Sequence, residues 1–309
     1  MTQSVGQGLW LPRLVQAIVA VCVTSLAPVP VAAQNVPWTT TVYPQDAPGQ
    51  RSWWDDGWWE NGTIEPAQNF AVTMEEHIIA HGNVEIPAYL FRPRGDGPFA
   101  AVLFQHGRRG LDDITTKLPR RLAARGFLVL APDIWSARFI EKYPIEHNPL
   151  SETDVAASID YLLALPEVAG SKACVVSHTR GGYLTLRALV THGRQSRVAC
   201  YASYYPHWQN PNAPEPMQVY RFAPEVEELR IPTLVLIGEY DQYSRIRSVV
   251  DGVAALQAKS RPAQLFVYPG VGRGFDFRPR TVRTFADDLA AKDAAQRVAR
   301  FVRRNITVK

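Results

Sequence analysis

The sequence has little net charge, no low-complexity tract and no motif that would hold a cofactor. Its formal net charge is +4 over 309 residues, which is too small to indicate a nucleic-acid-binding protein. Its seven histidines are dispersed, without the short paired spacing of a metal site. It contains neither a phosphate-binding glycine loop nor a dinucleotide-binding fingerprint. We therefore expect no metal, no cofactor and no nucleic-acid partner. The composition, 46% hydrophobic and 20% charged, is typical of a globular protein with a sizeable core.

The first 33 residues are predicted to be a signal peptide rather than part of the fold. Arg13 is their only charged residue, and residues 14–27 are mostly apolar. That run of about 14 residues is shorter than the roughly 20 that a spanning helix needs. Small residues at Val31 and Ala33 suit cleavage before Gln34. We expect export to the periplasm or the medium with no membrane span after cleavage; a membrane anchor is the alternative.

A tryptophan-rich arm is predicted at residues 34–70, between the signal peptide and the domain. It shows neither a helical nor a strand periodicity. Its tryptophans lie among Pro, Gly, Asp and Gln residues and are Trp38, Trp53, Trp54, Trp58 and Trp59. We expect the indoles to pack on the surface of the domain. An aromatic lid over a ligand site is the alternative.

Cleavage at Gln34 leaves two cysteines, Cys174 and Cys200. Both lie in strands that are predicted to be neighbours in the core. An exported protein can keep a disulfide, but a bridge between neighbouring parallel strands strains the geometry of the bond. We therefore expect two buried thiols that pack as small apolar side chains.

From residue 71 onward, short apolar runs alternate with segments of helical spacing. The apolar runs are typical of strands buried on both faces of a parallel sheet. Strands are predicted at 72–80, 84–93, 100–105, 127–131, 172–178, 198–204, 233–237 and 264–268, and helices at 113–125, 151–165, 181–191, 244–259 and 282–303. The start of the second helix resembles a capping box, Ser151-Glu152-Thr153-Asp154. The alternation predicts one α/β domain over residues 71–309. Its central sheet is mostly parallel, with helices on both faces and an antiparallel hairpin at one edge.

Functional groups in such sheets gather beyond the carboxyl ends of the strands. The strand at 172–178 runs through Ser177-His178-Thr179-Arg180-Gly181-Gly182 directly into a helix. Strand, sharp turn and helix are the context of a nucleophile elbow, and Thr179 holds the nucleophile position. A β-branched residue is unusual at this strained position.

A glycine-containing turn, His106-Gly107-Arg108-Arg109-Gly110, follows the strand at 100–105. Such a turn lets backbone N–H groups point into the site and is where half of an oxyanion hole belongs. We therefore assign the oxyanion hole to Gly107 and Arg108, together with Arg180 after the elbow. A tight turn with a purely structural role is the alternative.

Two more strand ends complete a recognisable order. Gly238-Glu239-Tyr240-Asp241 follows one strand, and Pro269-Gly270-Val271-Gly272-Arg273-Gly274-Phe275 follows the next, after Tyr268. This order resembles the dienelactone hydrolase family of α/β hydrolases, as do the segments 87–93, 122–127 and 131–133. The resemblance covers roughly residues 72–303. It implies the α/β-hydrolase fold and cleavage of esters or lactones through an acyl-enzyme.

The resemblance places the nucleophile at Thr179, the acid at Asp241 and the base at Arg273, where the family has Cys or Ser, Asp and His. Arginine stays protonated and has no acceptor atom, so Arg273 cannot take the proton of a hydroxyl. Two functions remain open. One is a secreted ester or lactone hydrolase with an atypical site. The other is an inactive pseudoenzyme that binds a small anionic or aromatic ligand or a protein partner.

Other residues could replace the missing base or nucleophile. His178 adjoins Thr179, although its side chain is expected to point away from that of Thr179. His106 and His207 follow other strands and could reach the site. Ser177 is a further hydroxyl, but its strand position places it below the tip of the elbow.

Four arginines lie at predicted strand ends around one pocket: Arg108, Arg109, Arg180 and Arg273. Guanidinium groups suit carboxylate and phosphate, so anion binding in this pocket is one hypothesis, with Arg109 as a possible anion-binding residue. We expect instead solvated loop arginines and ion pairs to Asp112, Asp113 or Asp241. Arg273 in particular either pairs with Asp241 or faces an anionic ligand.

Overall fold

The structure is a computed structural model of the chain, and it describes residues 38–39, 55–242 and 246–306. The predicted signal peptide lies outside these residues, as do Trp53 and Trp54 of the predicted arm.

Within the described residues, nine strands form one sheet in the order β1-β9-β8-β7-β6-β4-β5-β3-β2. The strands are β1 (Trp38–Thr39), β2 (Val72–His81), β3 (Val84–Pro93), β4 (Ala101–Gln105), β5 (Leu128–Pro132), β6 (Ala173–His178), β7 (Val198–Tyr204), β8 (Thr233–Gly238) and β9 (Ala263–Tyr268). β3 is antiparallel to both β2 and β5, and all other neighbours are parallel. The predicted edge hairpin is confirmed, with His81 opposite Val84.

Seven α-helices accompany the strands in the described part of the chain. They are α1 (Asp56–Asn61), α2 (Lys117–Ala123), α3 (Leu150–Ala164), α4 (Gly181–Leu186), α5 (Glu215–Tyr220), α6 (Ile246–Ala258) and α7 (Phe285–Asn305). Five of them pack directly on the sheet: α2 on β5, α3 on β4, α4 on β6, α6 on β9 and α7 on β7. None of these helices is long and apolar enough to cross a membrane. The predicted α/β fold with a mostly parallel sheet is confirmed.

Hydrophobic runs explain the position of the core. All residues of β4, β5, β6 and β8 are buried, as expected for central strands that are covered on both faces. The edge strand β2 is mostly exposed. Because β4, β6, β8 and β9 are parallel, their carboxyl ends lie along the same edge of the sheet. The predicted site residues follow these ends.

Two local predictions are wrong. α3 begins at Leu150, one residue earlier than predicted, and its N-cap is Pro149, which has no side chain that could cap. The capping box is instead at α7, where the Thr284 hydroxyl and the Asp287 carboxylate each accept from the other's backbone N–H. The predicted loop before residue 222 contains the short helix α5.

The predicted arm also contains a helix that its sequence pattern does not reveal. α1 is capped by Asp55, whose side chain accepts from the backbone N–H of Trp58 at 3.0 Å. Trp58 and Trp59 are each 1% exposed, and the Trp59 indole donates to Asp288 of α7 at 2.6 Å. The Arg121 guanidinium lies 5.0 Å from both indole rings. These two tryptophans pack against the domain, as expected.

Cys174 and Cys200 form a disulfide, so the prediction of two free thiols is wrong. The two residues are directly opposite each other in the parallel pair β6 and β7. Their Cα atoms are 4.7 Å apart, within the range of about 4.4 to 6.8 Å that disulfides span. The register of the two strands thus brings the two side chains within bonding reach.

Candidate active site

Thr179 occupies the predicted elbow between β6 and α4, with a backbone φ of +54°. This left-handed conformation is rare for a β-branched residue. Three backbone hydrogen bonds maintain it. Thr179 N–H donates to Tyr204 O at 3.1 Å, and Thr179 O accepts from Gly182 at 2.9 Å and from His207 at 2.8 Å. The elbow is therefore connected to both α4 and the segment that follows β7.

Two glycines allow close approach at the elbow. A Cβ on Gly181 would lie 2.5 Å from His106 O and 2.7 Å from Gln105 O. A Cβ on Gly107 would lie 1.8 Å from Thr179 Oγ1 and 3.0 Å from His178 O. The backbone turn after β4 thus packs directly on the elbow, which is the arrangement predicted for an oxyanion turn.

A cavity of about 280 Å³ opens beside the elbow, and we call it the elbow cavity. Both Thr179 and Arg273 line it, as does His178. The remaining lining residues are Phe104, His106, Gly107, Arg108, Arg109, Thr115, Leu118, Tyr143 and Phe277. The structure therefore places the predicted nucleophile and base positions at one cavity.

The Thr179 hydroxyl oxygen is buried and has no hydrogen-bond partner among the described residues. Its proximity to Gly107 shows that it faces the oxyanion turn. A nucleophilic hydroxyl needs a neighbour that accepts its proton. The structure places no imidazole of a described residue in hydrogen-bond contact with this oxygen.

The predicted acid, Asp241, follows β8 and is 1% exposed. Its backbone N–H donates to Gly238 O at 3.1 Å. Asp241 is not among the residues that line the elbow cavity. Arg273 does line that cavity, so its expected role toward an anionic ligand stays a prediction.

The sequence analysis missed a buried histidine–carboxylate pair beside the elbow. His178 Nε2 lies 2.9 Å from Asp276 Oδ2. Both residues are buried, with 4% of each exposed. Asp276 Oδ1 accepts a short hydrogen bond from the Tyr205 hydroxyl. The Asp276 backbone carbonyl accepts from the Arg121 guanidinium. Asp276 is thus held at three of its oxygen atoms.

Aromatic rings enclose the imidazole of His178. Its ring stacks on Tyr204 with centroids 4.4 Å apart and planes 9° from parallel. The ring centroids of Tyr205 and Phe104 lie 5.7 and 5.2 Å from that of the imidazole. Strand alternation predicts that His178 and Thr179 point apart. They nevertheless line the same cavity, because the positive φ of Thr179 ends the alternation at the elbow.

The other candidate replacements have structural contacts. Burial lowers the pKa of His106, and both of its ring nitrogens are engaged, by Gly107 O at 2.8 Å and by Ile134 N–H at 3.1 Å. His207 lines a separate, open cavity of about 720 Å³ with Arg180. The Ser177 hydroxyl is buried in the sheet, within hydrogen-bond distance of the Tyr201 and Ser203 hydroxyls at 2.9 and 2.7 Å.

Two of the four arginines hold a loop in place. We call residues 139–149 the capping loop, because its Tyr143 contributes to the wall of the elbow cavity. Arg108 donates to Tyr143 O at 2.6 Å and to Pro144 O at 2.8 Å. Arg180 donates to Pro144 O at 2.8 Å and to Ile145 O at 2.7 Å. Their guanidinium groups therefore bind backbone carbonyls.

Arg109 forms an ion pair with Asp112 at the rim of the elbow cavity. This contact matches one of the alternatives stated for the arginines. Three of the four, Arg108, Arg109 and Arg273, line the elbow cavity, whereas Arg180 lines the open cavity beside it. Among the described residues, no cluster of three or more His, Cys, Asp or Glu side chains could hold a metal ion.

Comparisons with known proteins agree with this architecture. The sequence model of the dienelactone hydrolase family matches residues 86–306. An Escherichia coli K12 protein named "Putative carboxymethylenebutenolidase" is 25% identical over 221 residues, covering 66% of this chain and 78% of that protein. A Klebsiella pneumoniae structure named "Putative Dienelactone Hydrolase" has a TM-score of 0.60 at 22% identity, covering 75% and 98% of the two chains. An esterase of Pyrobaculum calidifontis has a TM-score of 0.59 at 20% identity, covering 75% and 85%. These structures share the α/β-hydrolase fold predicted for this chain.

Proposed function

The chain belongs to the dienelactone hydrolase family, and from that membership we propose that it is an exported hydrolase of small esters or lactones. The observation that carries the proposal is the elbow cavity. It combines a left-handed elbow at Thr179 with a glycine turn at Gly107 that packs on it. This is the framework on which the family's chemistry takes place, and it is retained although two of the three catalytic positions are substituted.

The cavity favours a substrate that bears a negative charge. Arg273 lines it beside apolar residues such as Phe104, Leu118 and Phe277. A guanidinium group binds a carboxylate with two parallel hydrogen bonds. The name carboxymethylenebutenolidase, given to the relatives, pairs a lactone ring with a carboxyl-bearing group. An ester or lactone that carries a carboxylate is therefore the substrate class that we propose for this chain.

The three family positions cannot act here in the usual way. Thr179 is the carried-over nucleophile, Asp241 the acid and Arg273 the base. Arg273 cannot accept a proton. In this proposal its role is electrostatic, to hold the substrate's carboxylate or the negative charge that develops on the carbonyl oxygen. The backbone of Gly107, Arg108 and Arg180 is the proposed oxyanion hole. The proton acceptor then lies elsewhere in the cavity.

The disulfide supports the proposed export. Cys174 and Cys200 are both fully buried and bonded. Structural disulfides persist in oxidising compartments and are rare in the reducing cytosol. An oxidised pair in the core therefore agrees with the signal peptide predicted from the first 33 residues.

The proposal is tested by comparing a neutral ester with an anionic one. Purified mature protein is assayed with p-nitrophenyl acetate and with the p-nitrophenyl hemiester of succinate, beside Arg273→Ala. We expect turnover of both esters by the wild type. Arg273→Ala is expected to raise KM for the hemiester about tenfold or more, since a charged hydrogen bond is lost, and to change KM for the acetate little. Arg247→Ala, at an exposed arginine, is the control. Wild-type protein that hydrolyses neither ester contradicts the proposal.

A second function, binding without turnover, is favoured by one observation. The Thr179 hydroxyl has no partner among the described residues, and an arginine stands where the family has its base. A pseudoenzyme would bind carboxylates, detected as a rise in Tm, but would release no p-nitrophenol. Turnover that appears only in Thr179→Ser/Arg273→His would identify this second function, because that variant restores a conventional nucleophile and base.

A further inference from the structure

We propose that His178 is the general base of this site, that Asp276 positions it, and that the attacking oxygen is that of a water molecule. This inference rests on the proposed ester hydrolysis and assigns the proton acceptor that Arg273 cannot be. None of the three positions carried over from the family includes His178 or Asp276. The assignment comes from the geometry of the pair beside the elbow cavity.

The contacts of the pair define which ring nitrogen is basic. Asp276 lies 2.9 Å from His178 Nε2, and a carboxylate there accepts from Nε2–H. The proton of the neutral ring is then on Nε2, and Nδ1 has the free lone pair. An Asp–His pair of this kind orients the imidazole and stabilises the imidazolium that forms during proton transfer.

The surroundings hold the ring in one orientation. Tyr204 stacks on the imidazole, and Tyr205 both contacts its edge and donates to Asp276. The backbone carbonyl of Asp276 accepts from the Arg121 guanidinium. Catalytic groups need such preorganisation, because a misplaced base loses much of its effect.

Two buried polar atoms have no partner in the described part of the chain, His178 Nδ1 and Thr179 Oγ1. Both residues line the cavity. One is an acceptor with a lone pair, and the other is a hydroxyl that can donate or accept. A water molecule bound between them would have two of the two to four polar partners that a buried water typically makes.

The position of the Thr179 hydroxyl favours water as the nucleophile. The hydroxyl oxygen faces the Gly107 turn so closely that a Cβ there would lie 1.8 Å from it. A branched side chain at a positive φ has little freedom to turn toward a substrate. Thr179 is therefore suited to hold the water rather than to attack.

In the proposed reaction His178 takes a proton from the attacking water and then gives it to the leaving group. As the water oxygen attacks the carbonyl carbon of the ester, His178 Nδ1 takes one proton from that water. The tetrahedral intermediate collapses by breaking the bond between the carbonyl carbon and the alcohol oxygen. The leaving alkoxide takes the proton back from Nδ1–H, and the other product is the carboxylic acid. Asp276 stays ionised throughout. No acyl-enzyme forms, and no oxidant, metal or cofactor is needed.

The experiment compares His178→Gln, Asp276→Asn and Thr179→Val with the wild type in p-nitrophenyl acetate hydrolysis. We expect His178→Gln to lower kcat/KM by about 100-fold or more, the usual effect of a general base. Asp276→Asn is expected to lower kcat with KM little changed, and Asp276→Glu to recover part of that loss. Thr179→Val is expected to lose about tenfold, the effect of one hydrogen bond to the water.

The matched control is His81→Gln. His81, on the edge strand β2, forms another Asp–His pair, 2.8 Å from Asp154. This variant is expected to keep wild-type kinetics. Thermal melts establish that each variant is folded. External imidazole is expected to restore part of the activity of His178→Ala, which a loss of folding would not allow.

Different outcomes separate this inference from the proposed function. A wild type that hydrolyses no ester overturns the proposed function. A wild type that is active while His178→Gln is equally active overturns the inference alone. A stoichiometric burst of p-nitrophenol, or acetylated Thr179 detected by mass spectrometry, also overturns it, because both report an acyl-enzyme. Nitrogen NMR of ¹⁵N-histidine-labelled protein gives a readout independent of activity. A proton on Nδ1 of His178 in the neutral ring would contradict the assignment.

Discussion

At the scale of single residues, the contact between Gly107 and Thr179 determines what the elbow can do. The turn after β4 lies against the Thr179 hydroxyl, and Gly107 is the residue that allows it. The threonine keeps its left-handed backbone because three backbone hydrogen bonds hold it. A branched hydroxyl residue is thus accommodated at a position that normally favours small ones.

Gly107→Ala is expected to destabilise the protein because its Cβ would meet the Thr179 hydroxyl at 1.8 Å. Overpacking of this kind costs about 1–3 kcal/mol, measured as a loss in the free energy of unfolding in urea. In a Thr179→Ala background the same substitution is expected to cost less, since the obstructing hydroxyl is gone. Equal losses in the two backgrounds would show that the two residues do not interact.

Part of the site follows from the sequence at this scale. The elbow, the oxyanion turn and the positions of Asp241 and Arg273 follow from residues at strand ends, because parallel strands all end on one side of the sheet. The pairing of His178 with Asp276 cannot be predicted from the sequence. Strand alternation assigns His178 to the wrong side, and the contact between residues 98 positions apart depends on how the loop after β9 returns.

At the scale of elements, the capping loop accepts hydrogen bonds from two arginines, and a carboxylate contacts it near its end. Arg108 and Arg180 bind its backbone carbonyls near Tyr143. His147, close to the end of the loop, contacts Glu152 of α3 at 2.7 Å. The loop therefore depends on charged contacts with the turns after β4 and β6 and with α3. Its stability should respond to charge and to pH.

Arg180→Met is expected to loosen the capping loop while keeping most of the apolar stem of the side chain. Two hydrogen bonds from a charged donor, at 2.8 and 2.7 Å, are lost. Each such bond contributes about 1.5–3 kcal/mol. Amide hydrogen exchange at Tyr143 and His147, whose N–H groups donate to Arg108 O and Asn212 Oδ1, should therefore become about tenfold faster or more. Arg247→Met, at an exposed arginine, is the control. Unchanged exchange in the loop would show that Arg180 does not hold it.

Glu152 is expected to make the stability of the protein sensitive to acid. Burial acts to raise its pKa, but hydrogen bonds from His147 and His192 and the contact with Arg187 outweigh burial and lower the pKa below 4.5. A carboxylate with a lowered pKa stabilises the fold at higher pH, and this stabilisation is lost as the pH falls through the lowered pKa.

Glu152→Gln should therefore lower the free energy of unfolding by about 2 kcal/mol at pH 7. The difference from the wild type should shrink as the pH falls below 4.5 and through the lowered pKa of Glu152. Urea unfolding at several pH values measures it. Glu227→Gln, at an exposed carboxylate paired with Lys259, is the control and should show little change at any pH. If the difference in the free energy of unfolding were independent of pH, the charge of Glu152 would not be what stabilises the fold.

Elements with strong periodicity are predicted within a few residues of their observed ends. β3 and β7 have the predicted bounds, and most other predicted strands differ by one residue at an end. The failures are short segments. α1 and α5 are each six residues long, too short for a helical period to appear, and they form because tertiary contacts stabilise them.

At the scale of the whole molecule, the disulfide joins two central strands beneath the site. Cys174 lies in β6, five residues before Thr179, and Cys200 lies opposite it in β7. Cysteine content alone did not reveal the bond, because both thiol and disulfide are compatible with two buried cysteines. The register of two strands 26 residues apart decides between them.

Removing both cysteines is expected to lower the free energy of unfolding by about 3 kcal/mol, the chain-entropy effect of a closed loop of this size. Cys174→Ala/Cys200→Ala avoids leaving a lone buried thiol, and urea unfolding measures the loss. Reduction should give the wild type the same free energy of unfolding as the variant only when the reductant is added to unfolded protein. In the folded protein both cysteines are buried. Alkylation of both cysteines in unfolded, unreduced wild type would contradict the bond.

The contact between Gly107 and Thr179 also orders the mutational history of the site. The present position of the Thr179 hydroxyl leaves no room for a Cβ on residue 107. We therefore expect a larger residue at 107 to be tolerated only together with a smaller or reoriented side chain at 179. The two positions, 72 apart in the chain, are therefore expected to vary together among descendants, and ancestral reconstruction should place every change at 107 after one at 179.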